Sequence, residues 1–572
     1  MLPDEKRVLM DCAMGRTEPD LVLKNASVAD VFTETIFHAD IAVKNGRIAG
    51  VGSYSASAER ERDLGGKTVV PGFIDAHVHM ESSMASPSMF TEYLFPHGTA
   101  AIVADPHEIA NVCGTEGIRY MLRDSAQCRV GVFFALPSCV PLSPLDHSGA
   151  SVGVEEIARL KDEPHVAALG EMMSYEALLA GDAELMRKID RMNGKTIDGH
   201  SPGLSGKRLQ AYRLAGVQTD HECGSYEEAL ERLRCGFIVQ VREGSAAKNL
   251  EAILGGAVRN GIPMDRFVFC TDDMHLDDVA RGGHMDRCIR MAVELGVDPV
   301  RAIKMATWNP ARAYGLEGYG AVAPGFRANL AVLDDWKKIS VSEVYRNGVP
   351  VRDLPVPRAA VAGEKLRNSV HIPHLPPDCL RMRAVSSFPV IGIVPGQIAT
   401  EKIVMDLPSE NGVFAPSGDI LKIAVIQRHD GSGRIGLGAV RGFGLRNGAA
   451  ASTVAHDSHN LIVIGDNDAD MLAAVEELKR CGGGYTLVRG QRPVKTLKLR
   501  IAGLFTDDRT VDLVKELGDM SALAHRMGIP ENIDVFQNLS FLSLPVIPEL
   551  RITDSGLFDV GENRLLPSAA LR

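Results

Sequence analysis

Closely spaced cysteine pairs are missing from this 572-residue chain, although it contains ten cysteines. Without a Cys-x-x-Cys pair, a zinc knuckle is not indicated, and the scatter of the cysteines argues against a disulfide framework. No apolar stretch of about 18 residues is present, so we expect no membrane-spanning helix. The first residues contain no apolar core of a secretory signal, and we therefore expect a cytoplasmic protein with reduced thiols.

A basic tail or stripe is also missing. The formal net charge is −11, which argues against nucleic acid as a partner. The hydrophobic fraction of 45% and the charged fraction of 24% are typical of a soluble globular protein. The length exceeds that of one compact core, so we expect two or three domains.

The chain opens with a pattern typical of a small β module. Residues 19–52 are short alternating runs, and Asn45-Gly46 is a strong hairpin-turn signal. The same pattern of short alternating runs occurs again after residue 324, in PGFRANLAVLDDWKKISVSEVYRNGVPV. We predict one β-sandwich module whose parts, 1–67 and 324–370, flank a central insertion; two unrelated β segments are the alternative.

The insertion, residues 68–323, alternates apolar strand-like runs with helical segments. The runs are TVVPGFIDAHVHM, TAAIVADPHE, RVGVFFALPS, VAALGEMM, TIDGHSP, VQTDHEC, FIVQVREG and FVFCTDDM. Such alternation indicates parallel strands covered by helices, and eight units suit an α/β fold of the (β/α)8 TIM-like barrel type. An open doubly wound sheet competes, but the Gly-rich phosphate loop expected after its first strand is missing. A proline-rich break precedes a C-terminal α+β domain at 371–572.

Polar residues follow the apolar part of most of these runs. They are His77, His79, Asp105, His107, Glu108, Glu171, His200, His221, Asp272 and Asp273. The carboxyl ends of all barrel strands meet at one mouth, and residues i and i+2 of a strand face the same side. Imidazoles and carboxylates suit zinc, iron and manganese, and clustered carboxylates repel one another unless a cation neutralises them. The pattern therefore predicts a metal site at the mouth.

Several segments resemble the amidohydrolase superfamily and, within it, the bacterial adenine deaminases. In the barrel they are PGFIDAHVHMESSM, ADPHEIANV, ALGEMM, DGHSPGL, CTDD and MATWNPARAYGL. The resemblance continues into VAHDSHN at 454–460 and NLSFLSLPVIPELRITDSGLFDV at 538–560, so it covers nearly the whole chain. The His-x-His pair alone is weakly specific, whereas the full set with the C-terminal segments is highly specific.

The resemblance implies two divalent metal ions per chain. His77, His79 and Asp272 would hold the first ion, His200 and His221 the second, and Glu171 would bridge them. Many relatives bridge with a carboxylated lysine on strand 4, but that strand has no lysine here, and Glu171 is a ready-made bidentate carboxylate. The resemblance implies Mn²⁺ or Fe²⁺ rather than Zn²⁺, although the sequence does not choose among them.

The implied reaction is hydrolytic deamination of free adenine to hypoxanthine and ammonia, with adenine and water as the partners. Divalent cations lower the pKa of bound water towards neutrality. Asp272 would accept the water's proton, and Glu81 or Glu108 would shuttle a proton to the purine. Because neighbouring strand residues face opposite sides, only one of Asp272 and Asp273 is expected to face the metals. The resemblance implies that it is Asp272, and Asp273 would then bond the backbone or a helix start. The resemblance also implies a homo-oligomer, a dimer or larger.

Other functions stay open at this point. The same metal site serves other amidohydrolase reactions, such as cyclic amide hydrolysis or deamination of a different nucleobase. A non-catalytic binding protein with this fold would be expected to have lost ligands, and no expected position is lost. A base-flipping nucleic-acid deaminase would carry a zinc signature with paired cysteines, which is missing here.

Two polar clusters have more than one interpretation. The first cluster is Asp105, His107 and Glu108. It is interpreted as a hydrogen-bonding network around the ligands, as an extra metal site, or as the polar start of a helix. His456, Asp457 and His459 line or close the pocket if the C-terminal region folds back over the mouth, or form a structural cluster at a turn.

Overall fold

A single sheet unites the segments before and after the barrel. The structure, a computed structural model, describes residues 2–143, 145, 147–245 and 247–566. After helix α1 (Pro3–Ala13), the first five strands are β1 (Leu21–Asp30), β2 (Thr35–Lys44), β3 (Arg47–Gly52), β4 (Glu61–Asp63) and β5 (Thr68–Pro71). β2 and β3 form the predicted hairpin, because Asn45 and Gly46 both adopt the positive φ, 50° and 73°, that such a tight turn requires.

The central region is a ring of parallel strands. They are β6 (Phe73–His79), β7 (Thr99–Ala104), β8 (Gly131–Leu136), β9 (Val166–Met172), β10 (Thr196–Gly199), β11 (Thr219–Asp220), β12 (Ile238–Arg242), β13 (Phe267–Cys270) and β14 (Asp272–Asp273). β14 continues β13 after Thr271 and pairs with β6, while Gln218 N–H donates to the Ile197 carbonyl between β10 and β11. The predicted (β/α)8 TIM-like architecture is therefore confirmed.

Helices follow the barrel strands and cover them. They are α2 (Pro87–Leu94), α3 (His107–Cys113), α4 (Thr115–Ser125), α5 (Val154–Leu160), α6 (Tyr175–Leu179), α7 (Ala183–Arg191), α8 (Gly206–Leu214), α9 (Tyr226–Arg234), α10 (Leu250–Arg259), α11 (Leu276–Gly282), α12 (Met285–Glu294), α13 (Pro299–Met305) and α14 (Trp308–Ala313). Small and branched side chains such as Ala76, Val103 and Ala168 fill the barrel core. A packed interior leaves the mouth as the place for a site.

The chain then returns to the first sheet through β15 (Leu330–Asp335), β16 (Ser340–Arg346) and β17 (Val349–Pro350). β15 runs antiparallel to β5, with Val332 opposite Val69. Within the described ranges the eight-stranded sheet has the order β17-β16-β15-β5-β1-β2-β3, and β4 pairs with β1. This pairing supports the predicted division at 67, 323 and 370, which stays a prediction.

The C-terminal region forms its own mixed sheet. Helix α15 (Glu364–Arg367) precedes β18 (Phe388–Ile393), β19 (Thr400–Met405), β20 (Ser409–Glu410), β21 (Val413–Phe414), β22 (Ile420–Ile426), β23 (Ile435–Arg441), β24 (Ala449–Ser452), β25 (Leu461–Gly465), β26 (Gly484–Arg489) and β27 (Arg492–Lys498). Helices α16 (Asp468–Cys481), α17 (Leu513–Arg526) and α18 (Val535–Phe541) pack beside it, followed by β28 (Leu550–Thr553), β29 (Gly556–Asp559) and β30 (Arg564–Leu565).

Three loops of this region reach the barrel mouth: those between β18 and β19, between β24 and β25, and between α18 and β28. The C-terminal region therefore supplies part of the wall around the mouth. Of the residues described, no helix combines the length and apolar composition needed to cross a membrane.

Candidate metal centre

The six predicted ligands come together at the barrel mouth. His77 and His79 end β6, Glu171 lies near the end of β9, His200 and His221 directly follow β10 and β11, and Asp272 begins β14. Most of these side chains are almost completely buried, and His200 is the most accessible. The strand-end positions explain the convergence, since parallel barrel strands all point their carboxyl ends to the same face.

The first half of the site is built by the two histidines of β6. Their Nε2 atoms lie 3.1 Å apart. The Nδ1 atom of His77 lies 2.8 Å from Asp198 Oδ2, and that of His79 lies 3.1 Å from the Asp105 carbonyl oxygen. Because both acceptors take an Nδ1–H, both Nε2 atoms present lone pairs to the same space, which is the tautomer of a metal-binding histidine.

Glu171 joins this half to the second. Its Oε1 lies 3.2 Å from His79 Nε2, and its Oε2 lies 2.8 Å from His200 Nδ1 and 3.3 Å from His221 Nε2. One carboxylate thus contacts both halves, each through a different oxygen. This is the arrangement that a bridging ligand needs.

The electrostatics of the cluster favour a cation. Burial alone would lower the pKa of His79, but hydrogen bonds to Asp272 and Glu171 raise it well above its usual range. Likewise burial would raise the pKa of Glu171, but His200, His221 and His79 hold it well below its usual range. The negative charges of these buried carboxylates are therefore stabilised by a cation placed between them and the histidine nitrogens. Divalent metal ions bind this combination of nitrogen and oxygen ligands.

Asp272 and its neighbour Asp273 point in different directions. Asp272 Oδ1 lies 3.1 Å from His79 Nε2, and its Oδ2 accepts a hydrogen bond from Arg242 at 2.7 Å. Asp273 instead accepts a hydrogen bond from Ser82, in the short 3-10 helix after β6. The φ of Asp272 is 59°, an uncommon left-handed conformation that separates the two side chains. The first aspartate is thus the one that faces the ligands.

The proton-shuttle candidates have different surroundings. Glu108 lines the cavity at the mouth, and its two oxygens accept hydrogen bonds from His456 and His459. Glu81 is not among the described residues that line this cavity; its Oε1 accepts the Ile109 N–H at 3.2 Å. Burial and the nearby charge of Glu108 raise the pKa of Glu81 to about 7.

The cavity in front of the ligands has a volume of about 150 Å³. Its polar side contains His107, Glu108, His456 and Asp457 in addition to the ligands. Its apolar side is contributed by both domains. These apolar lining residues are Met173, Pro202, Ala247, Ile398, Phe541, Leu544, Val546, Ile547 and Pro548. A cavity with one polar and one apolar side suits a small, flat ligand that has an apolar ring face and polar edges.

Three residues that contact the candidate ligands were missed by the sequence reasoning. Asp198 holds His77, Glu222 Oε1 lies 3.4 Å from His221 Nε2, and Arg242 hydrogen-bonds both Glu222 and Asp272. Signals for them existed, since Arg242 ends the predicted seventh run and Glu222 directly follows His221. Only the fold, however, puts the Arg242 guanidinium between two carboxylates.

Replacing Asp198 by alanine tests the orientation of His77. We expect metal affinity to fall about 10- to 100-fold, because the ring loses the acceptor that fixes its tautomer. Metal content after equilibration with a graded chelator measures this. Asp190→Ala, on the exposed face of α7, is the matched control and should leave the content unchanged. Equal metal retention in both variants would contradict the assignment.

Two families match this chain. Residues 68–351 match the Amidohydrolase family, and residues 397–564 match the Adenine deaminase C-terminal domain. An adenine deaminase of Nitratidesulfovibrio vulgaris (strain DP4) is 44% identical over 566 residues, covering 96% of this chain and 97% of the relative. One of Desulfitobacterium hafniense (strain Y51) is 42% identical and covers 97% of both chains. A crystal structure of an adenine deaminase is 19% identical with a TM-score of 0.46, covering 58% of this chain and 99% of the other.

The barrel and the histidine–carboxylate cluster at its mouth define an amidohydrolase. The match over nearly the full length, including the C-terminal domain, places it further: this chain belongs to the adenine deaminase family. The resemblance predicted from the sequence is confirmed.

Proposed function

We propose that this protein hydrolyses free adenine to hypoxanthine and ammonia, a reaction of purine metabolism. One observation carries the proposal. The ligand cluster of the barrel and the region matching the Adenine deaminase C-terminal domain line the same cavity, so the part of the chain most specific to the family encloses the reacting groups.

Two divalent ions, Mn²⁺ or Fe²⁺ in preference to Zn²⁺, are part of the proposal. His77, His79 and Asp272 would hold one, His200 and His221 the other, with Glu171 shared. The support is the facing lone pairs of the β6 histidines and the two-sided contacts of Glu171. When bound, such ions lower the pKa of water and supply a nucleophile at neutral pH.

The protein groups would then divide the remaining work. Asp272 accepts the proton of the attacking water and passes it to the leaving amine. Arg242 holds the second oxygen of Asp272 at 2.7 Å and fixes its direction. The apolar wall, with Phe541 and Leu544, packs against the purine and excludes bulk water from the reacting atoms.

The proton shuttle was predicted to be Glu81 or Glu108, and both stay proposals. Glu108 is favoured by its place in the cavity wall, whereas Glu81 is favoured by the proton that its raised pKa lets it hold near neutrality. Glu108 is engaged with two histidines, which limits its freedom to carry a proton to the purine.

Ammonia release from purified protein, loaded with Mn²⁺ or Fe²⁺, tests the function. Adenine is run beside adenosine, guanine, cytosine and a dihydropyrimidine, and the loss of adenine absorbance is followed in parallel. We expect turnover of adenine alone. Turnover of another compound would support the metal site but reject adenine as the substrate. No turnover of any compound would reject the proposed function.

The last two points concern the oligomeric state of the protein and its cellular compartment. We propose a homo-oligomer, as the resemblance implies, in the cytoplasm, where the ten free cysteines stay reduced. The molar mass in solution by light scattering checks the first point, since a mass near 61.6 kDa would indicate a monomer. Fractionation of the source cells checks the second.

A further inference from the structure

The loop between β24 and β25 delivers Asp457 to the cavity. Its side chain is 2% exposed and shares the lining with the ligands Glu171 and Asp272. Among the described residues, its Oδ2 has no hydrogen-bond partner. A buried carboxyl oxygen left unpaired is costly, so this atom is expected to meet a ligand of the cavity.

Glu108 anchors the loop through two histidines that flank Asp457, one before it and one after it in the sequence. His456 Nδ1 and His459 Nε2 bond the two oxygens of Glu108, a barrel residue. His459 Nδ1 accepts the Ala455 N–H at 3.1 Å, so its Nε2 carries the proton and donates to Glu108. That nitrogen has no lone pair for a metal ion. The cluster of Glu108, His456 and His459 is therefore a hydrogen-bonded clamp rather than a metal site.

Further contacts fix the same loop. The His456 ring stacks on Phe541 with centroids 4.7 Å apart, and the Ser543 hydroxyl donates to the His456 carbonyl at 3.0 Å. A carboxyl group between such anchors has little freedom to move. It is thus preorganised toward whatever occupies the cavity.

Four neighbouring carboxylates of the cavity, those of Glu222, Asp272, Asp273 and Glu108, already accept hydrogen bonds. Arg242 bonds Glu222 and Asp272, Asp273 accepts from Ser82, and Glu108 holds the clamp. Asp457 differs from these residues because one of its oxygens stays available. It also differs from the acidic residues at the barrel strand ends because it comes from the C-terminal region.

We propose that Asp457 is a catalytic residue of the adenine deamination, and this inference rests on the proposed function. Its free carboxyl oxygen contacts bound adenine at ring nitrogen N1 and exchanges a proton with it. On this inference Asp457, rather than Glu81 or Glu108, carries the proton to the purine, and Glu108 is a positioning residue that holds the loop.

The proton balance closes with two carboxyl groups. As water adds to C6, a C–O bond forms, the C6–N1 double bond becomes single, Asp457 gives its proton to N1, and Asp272 takes one from the water. The C6–N bond to the amine then breaks, and Asp272 returns its proton so that ammonia leaves. The hydroxyl proton at C6 returns to Asp457 as the carbonyl forms. Adenine and water give hypoxanthine and ammonia, and both carboxyl groups regain their starting states.

The surroundings of Asp457 suit this exchange. Burial raises the pKa of Asp457, the charge of His107 opposes this and that of Glu108 reinforces it, so that the pKa reaches about 6. A group with a pKa close to neutrality both holds and releases a proton efficiently.

Asp457→Asn is compared with wild type and with Asp559→Asn in the metal-loaded full-length protein. Asp559 is also buried in the C-terminal region, where it binds Lys402 rather than the cavity. We expect Asp457→Asn to lower kcat about 10²- to 10⁴-fold, with KM, metal content and melting temperature close to wild type. The control should keep wild-type kcat.

Chemical rescue separates catalysis from folding. In Asp457→Gly, added formate is expected to restore at least about tenfold of the lost kcat, since a small acid can take over proton transfer. An Asp457→Asn kcat within threefold of wild type, or a defect that formate does not relieve, overturns the inference. Wild-type protein without adenine turnover would instead reject the proposed function, so the two failures are distinguishable.

Discussion

Glu171→Gln is expected to lose at least one metal ion per chain and to lower adenine turnover by about a thousandfold or more. Glu171 supplies an anionic oxygen to each half of the site, 3.2 Å from His79 and 2.8 Å from His200. A glutamine has the same shape but offers one neutral carbonyl oxygen and an N–H₂ group, which repels a cation. Metal analysis of the purified variant and ammonia release measure the two effects.

Glu176→Gln is the matched control for this experiment. Glu176 lies on α6, five residues further on, where its side chain is 70% exposed and pairs with Arg208. Its replacement should change neither metal content nor turnover. Full metal content in Glu171→Gln would contradict the bridging role, and lost metal in both variants would indicate a general defect of this segment.

Asp272→Asn is expected to lower kcat by about 10³-fold, equivalent to about 4 kcal/mol in the activation barrier. Although burial would raise the pKa of Asp272, the charge of Arg242 and the hydrogen bond of His79 hold it well below its usual range. The native group is therefore an anion able to accept a proton, whereas an asparagine amide is not. Steady-state kinetics with adenine measure the loss.

Asp273, the residue next to Asp272, provides the matched control for this variant. Asp273 bonds Ser82, so Asp273→Asn should cost less than tenfold in kcat. A larger loss in Asp273→Asn than in Asp272→Asn would reverse the assignment of the two aspartates. The metal content of both variants, measured on the same samples, shows whether either loss arises from weaker metal binding.

The site was predictable where local rules apply. Each of the six ligand candidates lies within two residues of a strand end, and all six converge in the structure. The same reasoning omitted Arg242, although it ends β12, because an arginine is not a metal ligand. Its pairing with Glu222 and Asp272 depends on how three different strand ends approach one another.

The C-terminal contribution was only partly predictable. His456, Asp457 and His459 were noticed as a cluster, with a place in the pocket and a structural turn both open. Their partner Glu108 lies 348 residues from His456 in the sequence. A single sequence contains no periodic signal that relates such distant positions, so the clamp appears only when the domains are packed together.

The amino-acid sequence by itself determined the strands, the turn at Asn45-Gly46 and the class of chemistry at the mouth. These depend on side-chain periodicity, on backbone preferences of adjacent residues and on the general rule that parallel barrel strands end at one face. The tertiary structure decided which carboxylates face the ligands and which are held away. It also decided that Asp457 enters the cavity, because that depends on the packing of a separate domain over the barrel and on the buried hydrogen bonds that this packing must satisfy.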